Sequence, residues 1–437
     1  MFAAVVSWPA APFQRSLVLS ALKALDPPPA VVEFPVQGNP NLYWSTYDDI
    51  DHELVHLNRD TILSSSYTFR KALIRKHFLS RCLHSYITKH PHCKLKNAVP
   101  RTFEIELSFP DELDELFLDD LYDLGEELDS ADNRWWILKP GMADRGNGIR
   151  LFNSRALLEK IFQDFEDKES TDEEEGEEDS TTVVTSQLRH FVIQEYLSNP
   201  LLIDPVLDKT SEESRGVKFH LRTYCVASGA IKVYLFNKIL ALFSPVPYSE
   251  PQAEEDEDGD PLPVDLAPHL TNTSLQKDRG EEGVRLLDEL IGSYVLSGPI
   301  DAPKVQFTTE DMKSIVDQIV DVLGETFKAA LETPVHFQPL PNAFELFGID
   351  FLVTDSHPSS TSPRFQVKLL EINSEPAIEL TGPRLSWILQ DLFVAIGKVC
   401  VDPFFNPKPD SEDAGWSVGD VHHGLIKCLD KEVWGAF

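Results

Sequence analysis

Residues 344–373 read FELFGIDFLVTDSHPSSTSPRFQVKLLEIN, two apolar stretches joined by a polar one. The stretches 344–354 and 365–373 are rich in Phe, Leu, Ile and Val, as buried strands are. The Pro- and Ser-rich segment between them has the composition of a hairpin loop. Asp350 interrupts the first strand, and Glu371 and Asn373 sit two apart on the second, so these last two share a face. Closing the hairpin would set Asp350 opposite Glu371 and Asn373. Carboxylates in apolar strands are costly unless something positive compensates them. Magnesium meets that need, because it takes one or two carboxylates and fills its shell with phosphate oxygens. On spacing alone the alternative stays equally open: two acids pointing to solvent from half-exposed strands.

Three segments upstream bear on the choice. In WWILKPGMADRGNGIRLF (135–152) a glycine-rich loop joins two strands, with Lys139 at the end of the first and Arg145, Gly146 and Gly148 in the loop. Such glycines let a backbone close over phosphates, with Lys139 and Arg145 as positive charges, although a lone G-x-G in a hairpin is more often a turn. HFVIQEYLSNPLLI (190–203) is an apolar strand running into a turn at Asn199-Pro200. The backbone of Glu195 and Leu197 there could pair with adenine, with Gln194 alongside. In VKFHLRTYC (217–225) Lys218, His220 and Arg222 alternate and face one way, which fits an anion site or an exposed face.

In chain order the motifs are K-P-x(4)-R-G-x-G-I, I-Q-x-Y-L-x-x-P-L-L, K-F-x-L-R, F-E-L-F-G-I-D and L-L-E-I-N, with His269-Leu270-Thr271-Asn272 as H-L-T-N. This series resembles the tubulin–tyrosine ligase family of ATP-grasp enzymes across approximately residues 67–395, and within it a fungal subgroup linked to mRNA-decay granules. The resemblance implies an ATP-grasp fold whose antiparallel sheets sandwich the nucleotide, preceded by a small α/β domain, and ATP and Mg2+ as cofactors. It implies that Lys139, Arg145, Gly146 and Gly148 hold phosphates, that Gln194, Glu195 and Leu197 line the adenine pocket, and that Lys218 contacts the nucleotide. Arg222 would grip an acceptor carboxylate, Asp350, Glu371 and Asn373 would bind the metal, and Lys71 in FRKALIRK would match a nucleotide-contacting lysine.

The implied activity joins an amino acid to a protein or peptide carboxylate, tubulin being one candidate acceptor, through an acyl phosphate and without a covalent protein nucleophile. Two positions depart from the family pattern. His220 stands where an aspartate is expected, and Leu242 where many members place an arginine that helps hold the acyl phosphate. The alternative reading is therefore an ATP-binding scaffold with altered catalysis, acting with mRNA-decay factors in the cytoplasm at P-bodies.

The rest of the sequence sets the frame. Strands interleave with helices over 437 residues, predicting an α+β protein of several domains: 1–66, 67–197 with an acidic insertion at 164–181, and 198–437 with another at 249–265. Helices are predicted over 13–25, 69–90, 284–296, 309–331 and 384–399, and a packing helix and turn in the tail GWSVGDVHHGLIKCLDKEVW. The net charge of −33 is concentrated: 111–129 contribute −10, 164–179 another −10 and 250–260 a further −7. These runs read as solvated, disordered insertions or as surfaces for a basic partner, and the overall charge argues against direct nucleic-acid binding. The basic stretch 70–96 is either a local counter-patch or a solvated face. Five scattered cysteines without a C-x-x-C argue against a disulfide framework and for a reducing compartment. His84, His90, His92 and Cys93 match no zinc-finger spacing. The opening MFAAVVSW reads as a buried strand rather than a signal peptide, and no apolar run is long enough for a membrane span.

Overall fold

Short apolar runs separated by Pro and Gly form four parallel strands at the N-terminus. They are β1 (Ala3–Val5), β2 (Ala30–Val32), β3 (Asn41–Tyr43) and β4 (Ile62–Ser64), in the order β2-β1-β3-β4. The helix Pro12–Lys23 opens on a proline, whose missing N–H would be unpaired there anyway, and it buries Leu17, Val18, Ala21 and Leu22. The structure is a computed structural model. It describes residues 2–107, 111–130, 132–141, 148–175, 190–205, 216–257, 259–271, 283–298, 305–356, 363–407 and 415–433.

A second sheet holds four antiparallel strands in the order β5-β8-β6-β7: β5 (Thr102–Glu106), β6 (Trp136–Pro140), β7 (Arg150–Phe152) and β8 (His190–Glu195). The third sheet has eleven strands. Its spine is β10 (Val217–Ser228), β11 (Lys232–Phe236), β16 (Phe344–Asp355), β17 (Phe365–Ser374) and β19 (Leu425–Asp430), extended by β12 (Leu240–Phe243) and β13 (Val284–Leu286). Short strands β9 (Leu202–Ile203), β14 (Tyr294–Val295), β15 (Val305–Gln306) and β18 (Val421–His422) complete its margins, and every pairing in it is antiparallel.

Period-2 alternation along β10 divides the core. Phe219, Leu221, Cys225 and Ala227 point to one face and pack with Ile315, Ile319, Leu323 and Phe327 of the helix Thr309–Leu331. That helix starts at a capping box in which Thr308 and Asp311 satisfy each other's backbone N–H groups. The opposite face carries Tyr224 and Val226 into a core shared with Leu389, Leu392 and Phe393 of the helix Ser386–Ile396. Farther toward the start of β10 the same face turns polar at Lys218, His220 and Arg222, looking toward β6 and β8.

Several expected elements differ. The predicted helix 69–90 breaks at Arg75, whose extended backbone (φ −108°, ψ 118°) separates Lys71–Ile74 from Lys76–Lys89. Leu79, Cys82, Leu83 and Tyr86 still form its buried stripe. The predicted helix 284–296 is instead β13, a single 3-10 turn at Leu287–Leu290 and β14. Val284 and Leu286 are buried on β13, whose ladder to β12 satisfies the backbone, and Gly292 at φ +86° ends the turn. The tail contains β18 and β19 rather than a helix, Cys428 and Leu429 being drawn into the core beside Phe327.

The acidic run 111–129 folds as the helices Glu112–Leu118 and Tyr122–Leu128. Leu113, Phe117, Leu121 and Leu124 are buried there, each contributing about 1.5–3 kcal/mol, while eight of the ten acids are exposed. Part of the run 164–179 is likewise helical, within Arg155–Glu175. Much of the basic stretch is paired within the chain: Arg81 with Glu104, Lys89 with Glu332 and Lys94 with Asp321. All five cysteines are free, and among the described residues no helix is long and apolar enough to cross a membrane.

Candidate functional site

Three neighbouring strands align the candidate residues in ladder rows. Arg222 on β10 lies directly opposite Asp350 on β16, and Asp350 opposite Glu371 on β17. Two residues along, on the same face, Tyr224, Gly348 and Asn373 form another row. Asp350 therefore faces Glu371 as the hairpin reading expected, while Asn373 faces Gly348. A Cβ on Gly348 would lie 2.7 Å from Pro376 Cβ, so glycine is needed where the chain folds back over the row.

The side chains form one charged array. Arg222 forks onto Asp350, with Nε donating to Oδ1 at 2.5 Å and Nη2 to Oδ2 at 2.9 Å. Lys76 Nζ lies 3.4 Å from Glu371 Oε2, and Asn373 Nδ2 donates to Glu371 Oε1 at 3.1 Å. Burial pushes the Glu371 carboxyl up, but Lys76 and Lys139 more than offset this and hold it well below the usual carboxylate range. Burial likewise opposes the Arg222 charge, and Asp350 more than restores it, leaving its pKa above the ordinary value. Burial lowers Lys139 to about 8 despite the pull of Glu371. Burial and the charge of Lys139 lower Lys218 to about 7.

These groups form one end of a cleft that spans about 720 Å³ when its solvent-open mouth is included. Its other walls are Ile137, Ile149, Leu197, Leu270, Leu352 and Leu370, apolar surfaces suited to a flat base. Among the described residues the Leu197 backbone makes no hydrogen bond, so its N–H and C=O are available to a ligand edge. Lys139 Nζ donates to Gln194 Oε1 at 2.7 Å, and Lys218 Nζ approaches Tyr196 OH at 3.3 Å. Buried His220 shares its Nδ1 with Thr271 Oγ1 at 2.5 Å, while its Nε2 has no hydrogen-bond partner and lies 3.6 Å from Asp350 Oδ1. Burial lowers its pKa, which favours the neutral ring.

The cleft thus gathers Lys139, Gln194, Glu195, Leu197, Lys218, Asp350 and Glu371, with Arg222 and Asn373 completing the ladder rows. Gly148 sits at φ +72° beside Pro140, and Arg145, Gly146 and Asn272 lie outside the described residues. Lys71 does not join the group. It is exposed on the turn Lys71–Ile74, because the break at Arg75 directs the next segment separately. Lys76, the last residue of the same FRKALIRK motif, reaches Glu371 instead. Lys76 and Tyr196, whose hydroxyl bonds His269 Nδ1 at 2.9 Å, went unread in the sequence; the second lysine of the motif was the available signal. Arg222, expected to grip an acceptor carboxylate, has Nε and Nη2 engaged by Asp350. Leu242 lies opposite His220 in the β10–β12 ladder and is buried in the apolar core.

The donor chemistry fits magnesium. Asp350 and Glu371 carboxylate oxygens and the amide oxygen of Asn373 are hard ligands, and among the described residues no three His, Cys, Asp or Glu converge as a metal cage. Two carboxylates face three cations, Lys76, Lys139 and Arg222. Bare metal is disfavoured there, whereas metal arriving with anionic phosphates restores the balance.

Comparisons with known proteins identify the family and the fold. The tubulin–tyrosine ligase family model matches residues 48–409. The chain is 37% identical over 380 residues to a probable tubulin–tyrosine ligase of Schizosaccharomyces pombe, covering 84% of this chain and 83% of that protein. It is 36% identical over 403 residues to the probable tubulin–tyrosine ligase PBY1 of Saccharomyces cerevisiae, covering 89% of this chain but only 48% of that protein. Among solved structures, the C-terminal domain of K. lactis Pby1, described as an ATP-grasp enzyme interacting with the mRNA decapping enzyme Dcp2, superposes with a TM-score of 0.67 at 28% identity. That match covers 99% of this chain and 100% of that one. The fold is ATP-grasp, a ligase-type nucleotide-binding scaffold, and the chain belongs to the tubulin–tyrosine ligase family.

Proposed function

We propose that this chain is an ATP- and magnesium-dependent carboxylate–amine ligase that adds an amino acid to a protein or peptide carboxylate. The observation that carries the reading is the row Arg222–Asp350–Glu371, ringed by Lys76 and Lys139 at the polar end of a cleft with apolar walls. In the first step an acceptor carboxylate oxygen attacks the γ-phosphorus of ATP, the bond to the bridging oxygen breaks, and ADP leaves. In the second an amine attacks the acyl carbon, phosphate leaves, and the amine's proton passes to water. Lys139, Lys218 and Lys76 hold the phosphates, the family resemblance adds Arg145, Gly146 and Gly148 to them, and we transfer to Lys76 the nucleotide contact expected of Lys71. Leu197 and Glu195 read the adenine edge, Gln194 positions Lys139, and Arg222 orients the acceptor once its fork on Asp350 is shared. Magnesium, held by Asp350, Glu371 and Asn373, would neutralise charge on the transferring phosphoryl group.

Nucleotide affinity should be measured with and without magnesium in wild type and Glu371→Ala, and ADP release followed with amino acids and carboxylate-ended proteins, including detyrosinated tubulin. The ligase reading fails if no protein or peptide acceptor ever raises ADP release.

Buried Leu242 and neutral His220 support a second reading, an ATP-binding scaffold of altered catalysis. The Dcp2 interaction of the Pby1 domain suggests mRNA-decay factors as partners, with the cytoplasm and P-bodies as location. Capture of decapping enzyme that survives Asp350→Ala and Glu371→Ala would favour this reading, and loss of capture would count against it. We also propose the units 1–66, 67–197 and 198–437, since each carries one of the three sheets.

A further inference from the structure

Two side chains lining the nucleotide cleft have no part in the reading above: Tyr196, just past the end of β8, and His269 of the H-L-T-N segment. Both are buried, and both stand beside Lys218. Lys218 Nζ lies 3.3 Å from Tyr196 OH and 4.5 Å from the centre of its ring. The Tyr196 hydroxyl is held in turn by His269 Nδ1 at 2.9 Å, and the two rings meet edge to face. Tyr248, whose own hydroxyl donates to Ser198 O at 3.1 Å, closes the far side of His269. Burial raises the Tyr196 phenol and lowers His269 to about 4, so both are neutral at physiological pH. Tyr196 therefore offers Lys218 a hydroxyl and a ring face, neither of them charged.

The other groups around Lys218 bring no compensating negative charge. On β6 stands Lys139, itself a cation, bonded to the neutral amide oxygen of Gln194. Along β10 the next residue on the same face is His220, whose ring burial keeps neutral, and beyond it Arg222 is forked on Asp350. Glu371 is drawn to Lys76 and Lys139, and Asp265 acts on His269. Among the described residues Lys218 makes no ion pair, and the charge that acts on it is that of Lys139. A buried ammonium without a carboxylate is costly, and it relieves the cost by losing a proton.

We propose that above neutral pH the empty cleft holds Lys218 as a largely uncharged amine set in place by Tyr196, and that a nucleotide binds together with a proton taken up by that amine. The proposal deepens the ATP reading and rests on it, because the phosphates supply the negative charge that the empty cleft withholds from Lys218. The proton comes from the buffer acid and goes to the Nζ lone pair, and no covalent bond of the nucleotide changes. Tyr196 is a positioning residue, since its hydroxyl and ring fix where Nζ stands in the cleft wall. Lys139, lowered to about 8 against about 7 for Lys218, takes up the smaller share.

The test is calorimetry of magnesium–ADP with the full chain at pH 7.5, in buffers of different ionisation enthalpy. The slope of binding heat against that enthalpy counts the protons taken up. With both lysines charged in the complex, we expect uptake of about one proton, about three quarters of it by Lys218. ADP affinity should fall about tenfold between pH 7 and 8. Lys218→Arg, whose charge is permanent, should cut the uptake to about a quarter of a proton and leave about a twofold decline. Tyr196→Phe removes the hydroxyl that accepts from the ammonium. It should move the decline toward lower pH by roughly half a unit to one unit while melting as wild type does. Binding of magnesium–ADP without proton uptake overturns the coupling and leaves the nucleotide reading standing, as does uptake unchanged in Lys218→Arg. A Tyr196→Phe profile that superimposes on the wild-type one overturns the positioning role. Absence of nucleotide binding overturns the ATP reading and the coupling with it. If Lys218→Arg melts below wild type, the wild-type uptake and the Tyr196→Phe shift decide.

Discussion

Two buried arginine–carboxylate pairs, Arg222–Asp350 and Arg70–Glu345, have almost the same local chemistry and opposite surroundings. Each carboxylate side chain is 4% exposed and each guanidinium is largely covered. Around Arg222–Asp350 stand Lys76 and Lys139, and the neighbouring Glu371 is driven well below the ordinary carboxylate range. Around Arg70–Glu345 the nearby charge is Glu375, and burial lifts Glu345 from 4.5 to about 7. A buried ion pair therefore says little about what a cavity binds. The charge around the pair differs: cations stand in surplus at the end of the cleft and favour an anionic ligand, whereas Arg70–Glu345 has the exposed Glu375 beside it.

The largest effect should come from breaking the cleft pair. Asp350→Ala strands the Arg222 charge in the sheet and should lower stability by about 3–5 kcal/mol in urea unfolding. Glu345→Gln should lower it by less, because its carboxyl already sits near neutrality and the amide can still accept from Arg70. Equal losses would erase the distinction between the pairs. Next in size, Glu371→Ala should remove the magnesium-dependent increment of nucleotide affinity, on the order of 10–100-fold by titration calorimetry, while Glu375→Gln leaves it intact.

The third effect is one of pH. The folded-state pKa of Glu345 lies above its unfolded value, so the folded chain binds more protons between those two values. This residue's contribution to stability is therefore greatest below about pH 4.5 and is lost as pH rises toward 7. Urea midpoints should reveal a decline on the order of 2 kcal/mol between pH 5 and 8 that is missing in Glu345→Gln. A wild-type profile matching the variant's would mean that Glu345 is not held up.

How much of this could be read in advance follows from the range of the signals. Asp350, Glu371 and Asn373 lie on two strands joined by one hairpin, so period-2 spacing was enough to put them together. Lys218, His220 and Arg222 were legible as a face for the same reason, but spacing could not show Arg222 forked on Asp350, which depends on β10 and β16 pairing across more than a hundred residues. The segment 284–296 was misread because its apolar pattern suits a helix or a strand, and the long-range ladder from β13 to β12 chose the strand. In 111–129 the count of acids hid four core residues, since net charge does not report which side of a helix faces inward. The Arg70–Glu345 pair was invisible, because its members meet only once the N-terminal sheet docks against β16.

The smallest effect concerns the two lysines of FRKALIRK, and it tests how local the cleft's positive surplus is. Lys76 Nζ lies 3.4 Å from Glu371 and is partly covered, whereas Lys71 is exposed on the preceding turn. A charge about 4 Å from a bound phosphate would be worth about 1 kcal/mol or more, and one screened by solvent little. Lys76→Ala should therefore weaken ADP binding about fivefold at low salt, by less at high salt, and Lys71→Ala should leave it unchanged. Removing Lys76 also takes away the first of the cations that hold Glu371 down, so its carboxyl should rise toward the ordinary range. The reverse ranking, with Lys71 the sensitive position, would mean that the break at Arg75 closes when nucleotide binds and that 69–90 then becomes one helix.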